Sequence, residues 1–195
     1  MNEEQVSTEQ INAEQINTAQ TMTPSLVVEN LFDDKVMVEL PEGTTIMPED
    51  MVRQLYPYEK RPQHIYYQSK DVLYFTFSLL KQPLADKQVS EATYRSLQVI
   101  ESAYPKSIID QVKFANIASE QRCGWFAYQS PSLREPRYNI ICILSVNNQF
   151  MHGTCSCLLE DEKSKNRIKQ VLLSLQITEK GSGQWVNSPP WTNRF

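Results

Sequence analysis

Apolar residues in this chain recur at two different periods, and the switches between them mark out its elements. From 72 to 80 they alternate, with Leu73, Phe75, Phe77 and Leu79 on one side and Val72, Tyr74, Thr76, Ser78 and Leu80 on the other, the period of a strand. His64–Gln68 reads as the strand before it, joined through the turn Ser69-Lys70-Asp71. Val36–Leu40 reads as an earlier strand, closed by Pro41-Glu42-Gly43. Pro48 suits the first turn of a short helix through Leu55, with Glu49 and Asp50 near its positive end. From Asp86, a candidate N-cap, the spacing changes. Val89, Thr93, Leu97, Ile100 and Tyr104 recur every three or four residues, which predicts the longest helix, stopped by Pro105. Strand-like runs follow at 107–117, 120–130, 137–146 and 149–158. A last helix is predicted over 160–175, with Ile168, Val171, Leu172 and Leu175 as its stripe and Lys163, Lys165, Arg167 and Lys169 as a solvated face.

The strand faces say how the sheet is covered. Run 138–146 places Tyr138, Ile140, Cys142, Leu144 and Val146 on one side, yet Ile141 and Ile143 make the other side apolar too. Two apolar faces need cover on both sides. The expected fold is therefore α+β: a central antiparallel sheet of about six to seven strands flanked by helices on both faces, an α/β/α sandwich.

Composition sets the limits of this picture. The 195 residues suit one domain, expected over 25–180. Residues 1–24 are rich in Gln, Asn, Thr and Glu and read as a disordered acidic leader; 181–195 read as an aromatic tail. Glu3, Glu4, Glu9 and Glu14 carry the whole net charge of −4, because residues 1–23 hold no Lys or Arg. The remainder is neutral, with 19 Lys and Arg against 19 acidic residues (23 − 4), and offers nucleic acid no basic patch. Only five glycines occur, and none forms a phosphate loop or dinucleotide fingerprint. Neither an apolar run long enough to span a membrane nor the apolar core of a signal peptide is present, so membrane insertion is not expected and a cytoplasmic location with reduced cysteines is.

Candidate chemistry is sparse. His152, Cys155 and Cys157 offer soft metal ligands within six residues. On a strand, however, His152 points away from both cysteines, and a fourth ligand would have to come from Cys123, Cys142 or His64. Small buried side chains are the simpler role for these cysteines. Gln129-Ser130-Pro131-Ser132 lacks the glycines of a nucleophile elbow. No cofactor, metal or catalytic residue is therefore expected. Aromatics interleaved with basic residues give a better clue, because Tyr, Trp and Arg are enriched in protein interfaces. Arg53, Tyr56, Tyr58, Lys60 and Arg61 form the candidate partner-binding surface; Trp185, Trp191 and Phe195 either pack on the domain or form a second motif.

Several local signatures resemble the PsbP-like fold family. They are Val36–Gly43, a strand running into Leu-Pro-Glu-Gly; Tyr56–Tyr67, Tyr-Pro then Arg-Pro then an aromatic strand; Asp71–Pro83, an aromatic strand ending near Gln-Pro-Leu; and Cys123–Pro131, Gly-Trp-Phe-x-Tyr-x-Ser-Pro. That family includes a photosystem II extrinsic subunit, a Ran-binding nuclear-import factor and many bacterial proteins of unknown role. The resemblance implies a bacterial member with a central sheet between helices. It also implies a non-enzymatic protein-binding or chaperone/adaptor-like module, monomeric or a weak homo-oligomer, with another protein as partner. The alternative is a small-molecule-binding protein or enzyme using a pocket between sheet and helix near His152 and Cys155.

Overall fold

A computed structural model describes residues 26–117, 119, 121–130 and 135–178. The expected leader 1–24 and tail 181–195, with Trp185, Trp191 and Phe195, lie outside them. In chain order the elements are β1 (Leu26–Leu31), β2 (Val36–Pro41), β3 (Thr45–Ile46), α1 (Glu49–Leu55), β4 (His64–Gln68), β5 (Leu73–Pro83), α2 (Val89–Ala103), β6 (Ile108–Ile109), β7 (Lys113–Asn116), β8 (Arg122–Ser130), β9 (Arg137–Val146), β10 (Gln149–Leu158), α3 (Glu162–Leu173) and β11 (Gln176–Ile177).

The larger sheet runs β3-β4-β5-β10-β9-β8-β6, with β7 also on β8. All its pairings are antiparallel. β6 and β7 together occupy the run expected at 107–117, interrupted at 110–112. A second sheet, β1-β2-β11, is not announced by the sequence; it takes Val36–Leu40 out of the larger sheet and lays it beside α3. The fold class is the expected one, an α+β sandwich around an antiparallel sheet.

Alternation fills the two faces differently. On one face Phe75 and Phe77, Ile140, Cys142 and Leu144, and Met151 and Cys155 meet Ile168, Val171 and Leu172 of α3. Val36, Val38 and Leu40 of the small sheet close this main core from the side. On the other face Val89, Ala92, Leu97 and Ile100 of α2 pack on Phe126, Tyr128, Ile141 and Ile143. A helix is about 10 Å across and strands are about 4.8 Å apart, so one helix covers about two strands. α2 accordingly lies over β8 and β9. α1 covers the far end of the same face, where Val52 joins Met47 and Ile65.

The helix termini differ from expectation in informative ways. Asp86 does not cap α2: it opens a single 3-10 turn, Asp86–Gln88, and the Gln88 side chain accepts from the Ala85 N–H at 2.9 Å. α3 starts later than expected, because the Asp161 carboxylate accepts from the Ser164 N–H at 3.0 Å and fixes Asp161 as the N-cap. The basic residues of α3 are not a uniformly solvated face. Arg167 reaches back to pair with Asp71 in the β4–β5 turn and its side chain is only 11% exposed. Lys165 lies over the Tyr138 ring, 5.3 Å from its centre. Long cationic stems cover apolar surface in this way, which a helical-wheel reading counts as solvent-facing.

α2 approaches the sheet closely only because residue 124 is glycine: a methyl group there would overlap the Thr93 Oγ1, which donates to the Val89 carbonyl at 2.7 Å. Gly124→Ala should therefore cost roughly 1–3 kcal/mol through overpacking. Thermal unfolding checks this, and Thr93→Ala in the same chain should recover part of the loss.

Candidate functional site

Four segments of the chain bring tyrosines to one end of the face shared by α1 and α2. Tyr67 lies near the end of β4 and Tyr74 near the start of β5, and their rings stack at 5.4 Å and 20°. Tyr128 near the end of β8 stacks on Tyr104, the residue that ends α2, at 5.9 Å and 26°. Tyr56, just after α1, lies between the pairs. Burial raises its phenol and Tyr74 adds to the rise. Tyr128 is pushed up to about 12 by burial, with Tyr104 and Tyr56 adding to it. Each of these two phenols thus stays protonated at neutral pH. None of the five hydroxyls makes a hydrogen bond among the described residues.

Arg137, first residue of β9, holds this end together. Its guanidinium sits 4.2 Å from the centre of the Tyr74 ring. Nε donates to Ser156 Oγ at 2.8 Å and Nη2 donates to the Val72 carbonyl at 2.7 Å. Nη1 lies 3.6 Å from the Glu135 carboxylate, too far for a hydrogen bond. The Val72 contact is notable because Val72 is held at φ 52, a left-handed conformation that β-branched residues avoid. One arginine therefore grips the strained turn, the strand beside it and an aromatic ring.

The five residues of the sequence-derived surface divide. Tyr56 turns inward and joins the tyrosines. Arg53 and Arg61 converge on the Glu49 carboxylate, at 3.0 and 3.2 Å, and lower its pKa through these bonds. Arg61 Nε also donates to the Tyr58 carbonyl at 3.3 Å. That bond fixes the loop while Tyr58 itself remains 79% exposed. Lys60 is exposed beside it. Two residues of the site escaped the sequence reading. Arg137 reads there as the start of a strand, and Tyr104 as the last member of a helical stripe.

The alternative site does not assemble. Cys123, Cys142, Cys155 and Cys157 are free and buried. Cys155 lies in the main core against α3. His152 is opposite Ile143 and Ser78 in the ladder, hence on the α2 side of the sheet. Burial pushes the Cys155 thiol well up and that of Cys142 to about 12, leaving neither as a thiolate near neutral pH. Among the described residues no group of three His, Cys, Asp or Glu side chains is placed to hold a metal ion. A cleft of about 200 Å³ runs beside α2, lined by Pro83, Leu84, Ala92, Val99 and Phe150 among others, and neither His152 nor any cysteine lines it.

His64, once a possible ligand, has a structural task. The Phe32 N–H donates to its Nε2 at 3.3 Å, and the two rings meet edge to face at 4.8 Å. The imidazole thereby steadies the β1–β2 turn, where Phe32, Asp33 and Asp34 all have positive φ, at 57, 55 and 61.

The chain matches no family model. No curated protein matches it in sequence. Solved structures do share its fold. A point mutant of the protein Mog1 aligns with a TM-score of 0.53 at 7% identity, over 80% of this chain and 97% of that one. A structure from Bacteroides thetaiotaomicron VPI-5482 gives 0.52 at 9% identity, over 83% of this chain and 51% of that one. LpqN, titled as involved in cell envelope biogenesis of Mycobacterium tuberculosis, gives 0.48 at 9% identity, over 80% of this chain and 92% of that one. At such identities the likeness is one of fold: a Mog1/PsbP-like sandwich. Among the described residues no helix is long and apolar enough to cross a membrane.

Two predictions follow from the turns. Val72→Asn should raise stability by about 1 kcal/mol, since Asn tolerates the left-handed conformation that Val72 resists. Urea unfolding checks this; a loss would mean that Val72 packing outweighs the strain. For His64, burial lowers the imidazole pKa, against the opposing pull of Asp33 and Glu29. The unfolded chain then takes up the proton first, so this contribution is complete above the unfolded value of about 6.5 and is lost as pH falls through the lower folded value. His64→Gln should flatten the fall in melting temperature between pH 7 and 5; an unchanged slope would exclude His64 as its source.

Proposed function

We propose that this chain is a non-catalytic, PsbP-like protein-binding module. Its contact surface is the tyrosine-rich end of the sheet together with the loop from Arg53 to Arg61. The observation that supports this best is the preorganised exposure of Tyr58. Arg61 ties the backbone of that residue to the start of α1 through Glu49, yet the tyrosine ring is left in water. A loop whose backbone is already tied down loses less conformational entropy on binding, and an exposed tyrosine on it supplies contact area for an anchor. Tyr104, 45% exposed, offers a second aromatic edge at the other side of the cluster. The neighbouring phenols add hydroxyls with no hydrogen-bond partner among the described residues. The neutral thiols and the separation of His152 from Cys155 support the non-catalytic reading.

Crosslinking and affinity purification from the native host test it. The wild-type chain should retain a protein partner, and Tyr58→Ala combined with Tyr104→Ala should reduce its recovery at least tenfold at a temperature where both chains remain folded. Recovery of a bound metabolite and no protein would overturn the proposal.

A further inference from the structure

The sheets end in four edges, and three of them are protected against further pairing. β3 is two residues long and runs into Pro48. The β6–β7 edge is broken at 110–112 and carries an exposed Lys113. β11 is again only two residues long. Short strands, prolines, charges and breaks are the usual means of blunting an edge. β1 is neither short nor broken and holds no proline, and its one charge, Glu29, is half-buried and accepts from the Tyr66 hydroxyl. It is six residues long, pairs with β2 in unbroken register and has no strand on its other side among the described residues. Leu26, Val27 and Val28 are 39%, 46% and 39% exposed, so both faces of its first half stand in water.

We propose that β1 is a docking edge for a basic, extended segment of a partner protein, which joins the small sheet as a fourth strand. Strand addition satisfies the backbone groups of the edge and covers aliphatic side chains on both faces. Charge selects the occupant. Residues 26–43 hold Glu29, Asp33, Asp34, Glu39 and Glu42 against the single Lys35, and Glu39 lies directly opposite Val28. A second copy pairing through its own β1 brings the same acidic set. The leader, with Glu3, Glu4, Glu9, Glu14 and no basic residue, is repelled in the same way. A strand alternating Lys or Arg with aliphatic residues complements both the charge and the apolar surface.

The inference rests on reading the chain as a protein-binding module, but it uses a different surface, so the two can fail separately. Acetylated and amidated Lys-Val-Lys-Val-Lys-Val is titrated into the full chain while amide hydrogen exchange is followed. Saturable binding that weakens with salt, with new protection confined to the β1 amides not bonded to β2, is expected; Glu-Val-Glu-Val-Glu-Val should not bind. Val28→Lys should weaken the basic peptide at least tenfold at unchanged melting temperature, and Tyr58→Ala should leave it unaffected. Binding without protection of β1, or indifferent to Val28→Lys, would overturn the proposal. So would edge amides already protected without peptide: protection independent of concentration assigns the edge to the leader, and protection that rises with concentration assigns it to a second copy.

Discussion

Cover for both faces of a broad sheet is the constraint on which this structure depends. The strands are apolar on both sides, and the described residues supply three α-helices to lay over them. One face is solved by α3 together with the small sheet, which bury the largest set of side chains in the protein. The other receives α2 over β8 and β9 and the short α1 over β4. Over β5 and β10 that face is more polar, with Tyr74, Thr76, Ser78, His152 and Thr154 in the outward positions. Between α1 and α2 the tyrosine cluster substitutes partly polar side chains for further helix cover.

That substitution explains why so much depends on Arg137. Where the cover is partly polar, a planar cation that stacks on one ring while donating to a strand side chain and a turn carbonyl supplies cohesion through direction rather than through volume. It also leaves the neighbouring turn in a conformation its own sequence disfavours. Arg167 reaches the same turn from the opposite side of the sheet, through Asp71. The β4–β5 turn is therefore held from both layers, which keeps the tyrosines on either side of it in register.

The parts of the fold that were legible in the sequence are those whose periodicity persists for several turns or pleats: β5, β8, β9 and β10, α2, and the apolar stripe of α3. β3 and β11 are two residues each, too short to show a period. β1 carries three consecutive aliphatics rather than an alternation, because the first half of this edge strand is exposed on both faces. The small sheet was hidden for a different reason, since a strand pattern does not say which sheet receives it. At the candidate site, the enrichment in Tyr and Arg around residues 53–67 was visible, and the inward turn of Tyr56 was not. The cluster draws on positions 56, 67, 74, 104, 128 and 137, and such convergence is a property of topology that no local spacing encodes. Arg167 and Lys165 misled in the opposite sense: their charge implied solvent while their stems cover the core.

The placement of the cysteines has a practical corollary. Cys123, Cys142, Cys155 and Cys157 occupy β8, β9 and β10, the strands at the middle of the larger sheet, and all four are buried. Cys123 sits opposite Ala115 of the edge strand β7, whereas fraying of β1, β3 or the β6–β7 edge leaves the other three covered. A thiol reagent reaches those three only when the centre of the domain opens, so the rate of their labelling measures cooperative opening of the core rather than motion at its margins. The native chain thus carries its own internal reporter of whole-domain integrity.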